Sequence, residues 1–490
     1  MNQHQGTSAR ATHDLIEAIR DDQSQTIDPT FSELSPDNGQ RAATREHTQK
    51  LIEQRIALQM TDMDAMPPIK APPNLPELVR AAFNKARASG DVNFYPTQVT
   101  LVDVNSIPFQ LRFSPSLANK PKAPKPLGII DHRVPSPPST TSVGSPLPTP
   151  KKKLVFDPFD NPLPSMLVCP LPPHHNLVLN KFAIVPEHFI LSTREYKEQT
   201  HLLEQSDLEA TRACIEAYQQ YAGPGGEEKK DEAGKRKEGD EREEETGSKL
   251  YAFFNCGEHS GASQPHRHLQ LLVVQKMREG LLEDVETETK EGNKMWEVLA
   301  QWLIEDKETE KKLPFQTFAE RLTPEMTGEE LHGVYLGLYR RAREVVREYQ
   351  LSSQPQPSSQ TQTQSRQTST AAGTAAGEVD EIQTGGEATI SYNLAMTRDV
   401  MVIIPRLAEG AAIVEKNLES GEEEVVGKLA LNGTVLAGTA LVKSQREWDV
   451  LRRNPSRVGE LLGCIGVPNE PEWVKEAKRE GRREERRGLL

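Results

Sequence analysis

Gly261-Ala-Ser-Gln-Pro-His-Arg-His-Leu-Gln-Leu-Leu-Val-Val274 begins as a small, flexible turn and continues as a β-rich run. Side chains on a strand alternate between faces, so His266, His268 and Gln270 share one face while Arg267, Leu269 and Leu271 take the other. Two imidazoles and an amide in a row make a poor core face and a good surface for a phosphoryl group. The backbone N–H groups of Gly261, Ala262, Ser263 and Gln264 are free to approach phosphate oxygens as a nest, and Ser263 and Gln264 add side-chain donors. Pro265 fixes the entry into the strand. A neutral imidazole is a good nucleophile toward phosphorus near pH 7. For His268 to attack, one ring nitrogen must keep its proton and donate it to a fixed acceptor, and a backbone carbonyl near His266 meets that need. The expected His268 ring is exposed in a cleft, with Gln270 facing the same way.

The same residues admit other readings. A bare His-x-His is most often an ordinary surface or core pair. A metal set of His174, His175, His266 and His268 also stays open, although no carboxylate or cysteine completes it.

The 490 residues carry a net charge of −13, which excludes a broad nucleic-acid footprint. Hydrophobic residues are only 36% and aromatics 5%, while Pro and Gly number 36 and 32, the pattern of globular material interrupted by solvated insertions. The four cysteines form no C-x-x-C pair, so a reducing compartment is expected, cytoplasmic or also nuclear. The N-terminus has no apolar signal region and no apolar run reaches membrane-spanning length, so no membrane partner is expected.

Along the chain, residues 1–60 are expected to be a mobile arm with a helix over 44–60. A catalytic region follows over 61–350, interrupted by disordered insertions at 134–153 and 222–248. A linker at 351–388, a second region at 389–470 and a charged tail at 471–490 complete it. Helices are expected over 75–88, 206–221, 295–304 and from the Thr327-x-x-Glu330 capping box onward, with Leu331, Val334, Leu338, Ala342 and Val345 on the buried face. Strands are expected over 98–104, 107–113, 177–185 continuing to 191, 250–255, 267–274, 390–396, 400–404 and 434–442.

Four separated blocks are similar to the histidine triad superfamily and, more closely, to the fungal-type diadenosine tetraphosphate phosphorylases, also called ATP adenylyltransferases. They are Leu117-Ala-Asn-Lys-Pro121, Asn180-Lys-Phe-Ala-Ile-Val-Pro-Glu-His188, Asn255 through Gln270, and Asn432 through Lys443 with Gly463-Cys-Ile-Gly-Val-Pro468. Ser391-Tyr-Asn393 and Ile404-Pro-Arg406 join them, so the likeness spans roughly residues 90–470.

The resemblance implies an α+β fold: a histidine-triad-like antiparallel sheet flanked by helices, with long disordered insertions. It implies that His268 becomes adenylylated and that Gln270 holds a phosphoryl oxygen. It implies nucleotide contacts from Lys120, Asn180, Lys181, Asn255, Gly261, Ala262, Ser263, Gln264, Asn432, Thr439 and Lys443, with His188 and His266 in support. A larger residue such as Met is usual where Thr439 stands. Hydrolases of the superfamily carry a third histidine at the Gln270 position and transferases carry glutamine. Phosphorolysis of diadenosine tetraphosphate to ADP and ATP is therefore the expected reaction, with a dinucleotide hydrolase or a nucleotide-sugar uridylyltransferase as the alternatives. The implied partners are nucleotides and inorganic phosphate. No cofactor or protein-held metal is expected, and magnesium arrives with the nucleotide.

Overall fold

The structure is a computed structural model, described over residues 68–116, 157–221, 248–281, 296–353, 383–416 and 421–469. The expected arm and helix before residue 61, the 134–153 linker, Lys120 with its block, and the charged tail lie outside the described residues, as do nearly all of the other two insertions.

Helix α1 (Leu75–Ser89) carries a proline in its first turn, where a missing N–H costs nothing, and buries Leu75, Val79, Phe83 and Ala86 at helical spacing. Strands β1 (Asn93–Phe94), β2 (Gln98–Val104) and β3 (Ile107–Phe113) follow. β2 and β3 form a hairpin through Asn105 and Ser106, both left-handed at φ 54° and 66°. Next come β4 (Leu167–Leu171), β5 (His175–Leu179), β6 (Phe182–Ala183), β7 (Phe189–Thr193) and helix α2 (Gln205–Gln220). Then β8 (Leu250–Cys256), β9 (His268–Val273), the short helices α3 (Val274–Met277), α4 (Leu299–Glu305) and α5 (Glu308–Lys312), and β10 (Phe318–Arg321) lead to the long helix α6 (Gly328–Ser352). The chain finishes with β11 (Ser391–Met396), β12 (Val400–Arg406), β13 (Gly410–Lys416), β14 (Glu423–Ala430), β15 (Thr439–Val442), α7 (Gln445–Arg453) and α8 (Ser456–Gly463).

Eight strands form one antiparallel sheet in the order β10-β12-β11-β8-β9-β7-β5-β4. Both flanks of β9 are therefore filled, by β7 and by β8. The sheet sorts its apolar side chains by alternation: Leu250, Ala252 and Phe254 of β8 join one core with α1, α2 and α6, while Tyr251 and Phe253 join a second core with β2, β3, β15, α4, α7 and α8. This is why β8 is buried along its whole length. From Ile69 onward the chain is one compact unit, and β11 and β12 of the second expected region lie in the same sheet as the catalytic strands.

Several expected elements take different bounds. The single strand over 177–185 breaks at Asn180, because β6 leaves the sheet to pair with β1. The strand over 434–442 begins instead as a 3-10 turn, Gly433–Ala437, and only Thr439–Val442 pair, parallel to β3. β9 gives way to α3 at Val274. The buried face of α6 turns by one residue, so that Tyr335, Tyr339 and Val346 are buried where Val334 and Val345 were expected. Tyr335 and Tyr339 take those places because both stack near Tyr392 of β11, and the Tyr335 and Tyr392 hydroxyls meet at 2.6 Å.

Candidate active site

His268 opens β9. It is paired with Ser192 of β7, while Gln270 is paired with Ile190 of β7 and Phe253 of β8, so the histidine and glutamine do share a face. Asn255 extends the same face of β8 as Phe253. His266 precedes the strand in an isolated bridge to Glu198.

The orientation of His268 follows from one hydrogen bond. Its Nδ1 lies 2.8 Å from the carbonyl oxygen of His266, which has only lone pairs to offer, so Nδ1 carries the proton and donates. Nε2 then bears the lone pair, and among the described residues it has no partner. Burial, far more than any neighbour, lowers the His268 pKa from the usual 6.5 to about 4, and the imidazole is neutral at pH 7.

His266 is itself fixed. Nδ1 donates to Asp157 Oδ2 at 2.7 Å, and Nε2 accepts from the Thr193 hydroxyl at 2.9 Å. His188 packs beside Gln270 and close to His268, and burial lowers its pKa to about 3. Asn180 Nδ2 reaches His188 Nδ1 at 3.1 Å, while its Oδ1 accepts from the Phe182 N–H. The turn at Gly261 has φ 78°, and a Cβ there would sit 2.9 Å from Asn432 Cβ and from the Leu431 carbonyl. Only glycine lets this loop pass so close to Asn432. Among the described residues, the N–H groups of Ala262, Ser263 and Gln264 make no hydrogen bond, which leaves donors available at the loop.

The Asn255 side chain works as a junction. Its Oδ1 accepts from the Gly433 N–H at 2.8 Å and from Asn393 Nδ2 at 2.9 Å. Arg406, fully buried, donates to Asn393 Oδ1 and to the carbonyls of Ala408, Glu409 and Leu431. With only neutral oxygens as acceptors, burial pulls its pKa down to about 10. Asn432 caps its own turn by accepting from the Thr434 N–H and hydroxyl.

One expectation needs correction. The His268 ring does not stand exposed in a cleft: it is 3% exposed, and the Phe159 ring lies over it with centroids 5.0 Å apart. That cover, completed by Val178 and Ile190, is the dehydration that keeps the imidazole neutral. Thr439 is buried in β15 with its hydroxyl 3.3 Å from Gln110 Oε1. Lys181 and Lys443 are exposed. One hollow lies around Leu250, Thr397 and Arg398 and another around Arg212, Leu322 and Arg398, and neither is lined by His268.

The sequence reading also missed residues. Asp157 and Phe159 come from a Pro-rich stretch beside an insertion and carry no motif of their own. Gln199 sits in the loop after β7, 2% exposed, with its amide against His268, and nothing in the sequence marks it. Among the described residues no group of three His, Cys, Asp or Glu side chains forms a metal site.

Two family models match the chain: the Ap4A phosphorylase N-terminal domain over residues 145–224 and 246–286, and the ATP adenylyltransferase C-terminal domain over 311–468. Among relatives, diadenosine 5',5'''-P1,P4-tetraphosphate phosphorylase 2 of Saccharomyces cerevisiae is 26% identical over 321 residues, covering 64% of this chain and 77% of the relative. Protein APA1 of the same organism is 22% identical and covers 81% of this chain and 96% of its own. Crystal structures of yeast Ap4A phosphorylase Apa2, alone and with Ap4A, are 22% and 21% identical, with TM-scores of 0.48 and 0.49. Both matches cover 82% of this chain and 99% of theirs. The two models lie in order along more than half of the 490 residues, and the chain belongs to the Ap4A phosphorylase family.

Proposed function

We propose that the protein phosphorolyses diadenosine tetraphosphate with inorganic phosphate, giving ADP and ATP, through an adenylyl group carried on His268. The single observation behind the covalent step is the His268 ring itself: proton fixed on Nδ1 by the His266 carbonyl, Nε2 unpartnered, ring neutral. Nε2 attacks the α-phosphorus of one adenylyl end, the bond to the bridging oxygen breaks, and ATP departs with that oxygen. A phosphate oxygen then attacks the same phosphorus, the N–P bond breaks, and ADP leaves with His268 restored. Splitting one displacement into two lowers each barrier.

Gln270 presents an amide on the same face, suited to a phosphoryl oxygen and unable to give a proton to water. In this reading the N–H groups of Ala262, Ser263 and Gln264 take the charge that develops on the phosphoryl oxygens. Lys120, Lys181 and Lys443 belong to this reading as sources of positive charge for the polyphosphate, reached as the substrate seats. Magnesium enters with the nucleotide. The antiparallel sheet around β7, β9 and β8 is in keeping with a histidine-triad-like core. No helix among the described residues is long and apolar enough to cross a membrane. A cytoplasmic or nuclear location is part of the same proposal.

The test is incubation with substrate labelled at the adenylyl phosphorus, an alkaline quench and mapping of the label. An acid-labile adduct on His268 and ping-pong kinetics are expected. Sequential kinetics with no adduct would sink the covalent step. Products that form equally without phosphate would point to a hydrolase, and transfer of a uridylyl group to a uridylyltransferase.

A further inference from the structure

We infer that Gln199 is a positioning residue for the nucleophile, clamping the His268 peptide from both sides. The inference rests on the His268 reading above and adds a residue to it.

The geometry is specific. Gln199 Oε1 accepts from the His268 N–H at 2.7 Å. Gln199 Nε2 donates to the Asn255 carbonyl at 2.8 Å and to the His268 carbonyl at 3.2 Å. The β8–β9 ladder runs from Leu250↔Val273 to Phe253↔Gln270 and stops there. Two more pairs in the same register would set Phe254 opposite Leu269 and Asn255 opposite His268. The Gln199 amide occupies that rung, so the strands are held together at the reactive residue by a side chain and not by their own backbones. An amide fits because it carries both a donor and an acceptor, as a peptide group does.

Gln199 is anchored in turn. Its own N–H donates to the Pro265 carbonyl at 2.7 Å, and the Arg267 N–H donates to the Lys197 carbonyl at 2.7 Å. The 197–199 segment therefore grips residues 265–268 along their length. The other end of His268 is the Nδ1 bond to the His266 carbonyl, so the clamp fixes both the peptide and, through it, the ring. In-line attack tolerates little misplacement: about 1 Å costs on the order of 100-fold.

Two variants test this. Gln199→Met keeps the volume and loses all three hydrogen bonds. Gln199→Glu keeps the shape, but its carboxylate faces two carbonyl oxygens, and only the protonated acid can accept from the His268 N–H while donating to a carbonyl. The ionisable neighbours are Lys197 and Glu198 on its own segment and His266, Arg267 and His268 opposite. Burial between carbonyls raises the pKa of such an acid.

The readouts are the single-turnover rate of His268 adenylylation, KM and the melting temperature. Gln199→Met should slow adenylylation roughly 10–100-fold with KM changed less than about threefold. The Gln199→Glu rate, taken as a ratio to the parent at each pH, should rise as pH falls. Adenylylation at the parent rate per folded molecule in both variants, or a loss explained wholly by a lower folded fraction, would overturn the inference. If the parent forms no adduct, and His268→Ala behaves alike, the His268 reading fails and Gln199 falls with it. An adduct in the parent with unaffected variants removes Gln199 alone.

Discussion

The two faces of β9 handle polar groups in opposite ways. On one face, the partners of His268 and Gln270 are neutral, a carbonyl, an amide and a second histidine held neutral by burial, and the Asp157 carboxylate nearby is taken up by His266. On the other, Arg267 is paired with charge. Its Nη1 reaches Asp207 Oδ2 at 3.0 Å and Glu204 Oε1 at 2.9 Å, and Asp207 Oδ1 takes His175 Nε2 at 2.8 Å. Burial alone would raise the Asp207 pKa, but the His175 hydrogen bond and the Arg267 charge outweigh it and hold the carboxyl below its usual range. The contrast has a physical reason. A face that receives a polyphosphate must not be neutralised beforehand, and a carboxylate beside it repels least when, like Asp157, it is held by a hydrogen bond. A face that anchors the strand gains from fixed ion pairs, provided they stay complete. Even here Arg267 Nε and His175 Nδ1 have no partner, so the anchor is tight without being saturated.

The comparison breaks most visibly at His268. His268→Ala should lower phosphate-dependent ATP release by roughly 10⁴-fold or more while leaving the melting temperature close to the parent's. Asp207→Asn should do the reverse. It leaves the buried Arg267 guanidinium with only the half-exposed Glu204 carboxylate, at a cost of up to roughly 3–5 kcal/mol in urea unfolding. The activity that survives, per folded molecule, should stay far above that of His268→Ala. Equal activity losses in the two would mean that the faces do not divide the work.

Acid sharpens the same contrast. The folded-state pKa values of His268 and His188, about 4 and about 3, lie below the ordinary 6.5. As pH falls below about 6.5 the unfolded chain takes up these protons first, so stability is complete above 6.5 and erodes down through about 4 and 3. For the same reason the acid limb of kcat/KM set by His268 belongs near pH 4. A limb at 6.5 would contradict the dehydrated ring. Phe159→Ala, by admitting water over His268, should move that limb upward, and an unmoved limb would free Phe159 from the role of cover. The smallest expected effect is at Thr439→Val: about 1 kcal/mol or less of stability from the lost contact with Gln110, and no change in KM. A several-fold rise in KM would restore Thr439 to the nucleotide site.

Much of the sheet was legible because alternation and apolar runs are local. The β2–β3 hairpin, β8 and the β11–β12 pair fall where the sequence placed them, and the capping box starts α6 at Thr327. Strand ends were less legible. The break at Asn180 and the turn before Thr439 are set by which partner strand lies alongside, and a sequence window does not contain the partner. The short strands β4 and β10 and the β13–β14 pair were missed, and β10 owes its place to β12, far along the chain.

By itself the sequence determined that His268 and Gln270 face one way and Arg267 the other, because period-two alternation needs no knowledge of the rest of the fold. It also carried the family likeness in its blocks. Only the tertiary structure decided that Asp157 and Phe159 close over the two rings, and that an amide 69 residues away takes the place of a ladder rung. Those contacts join segments distant along the chain. Their energy comes from burial and from meeting at hydrogen-bonding distance, and neither quantity exists until the chain has folded.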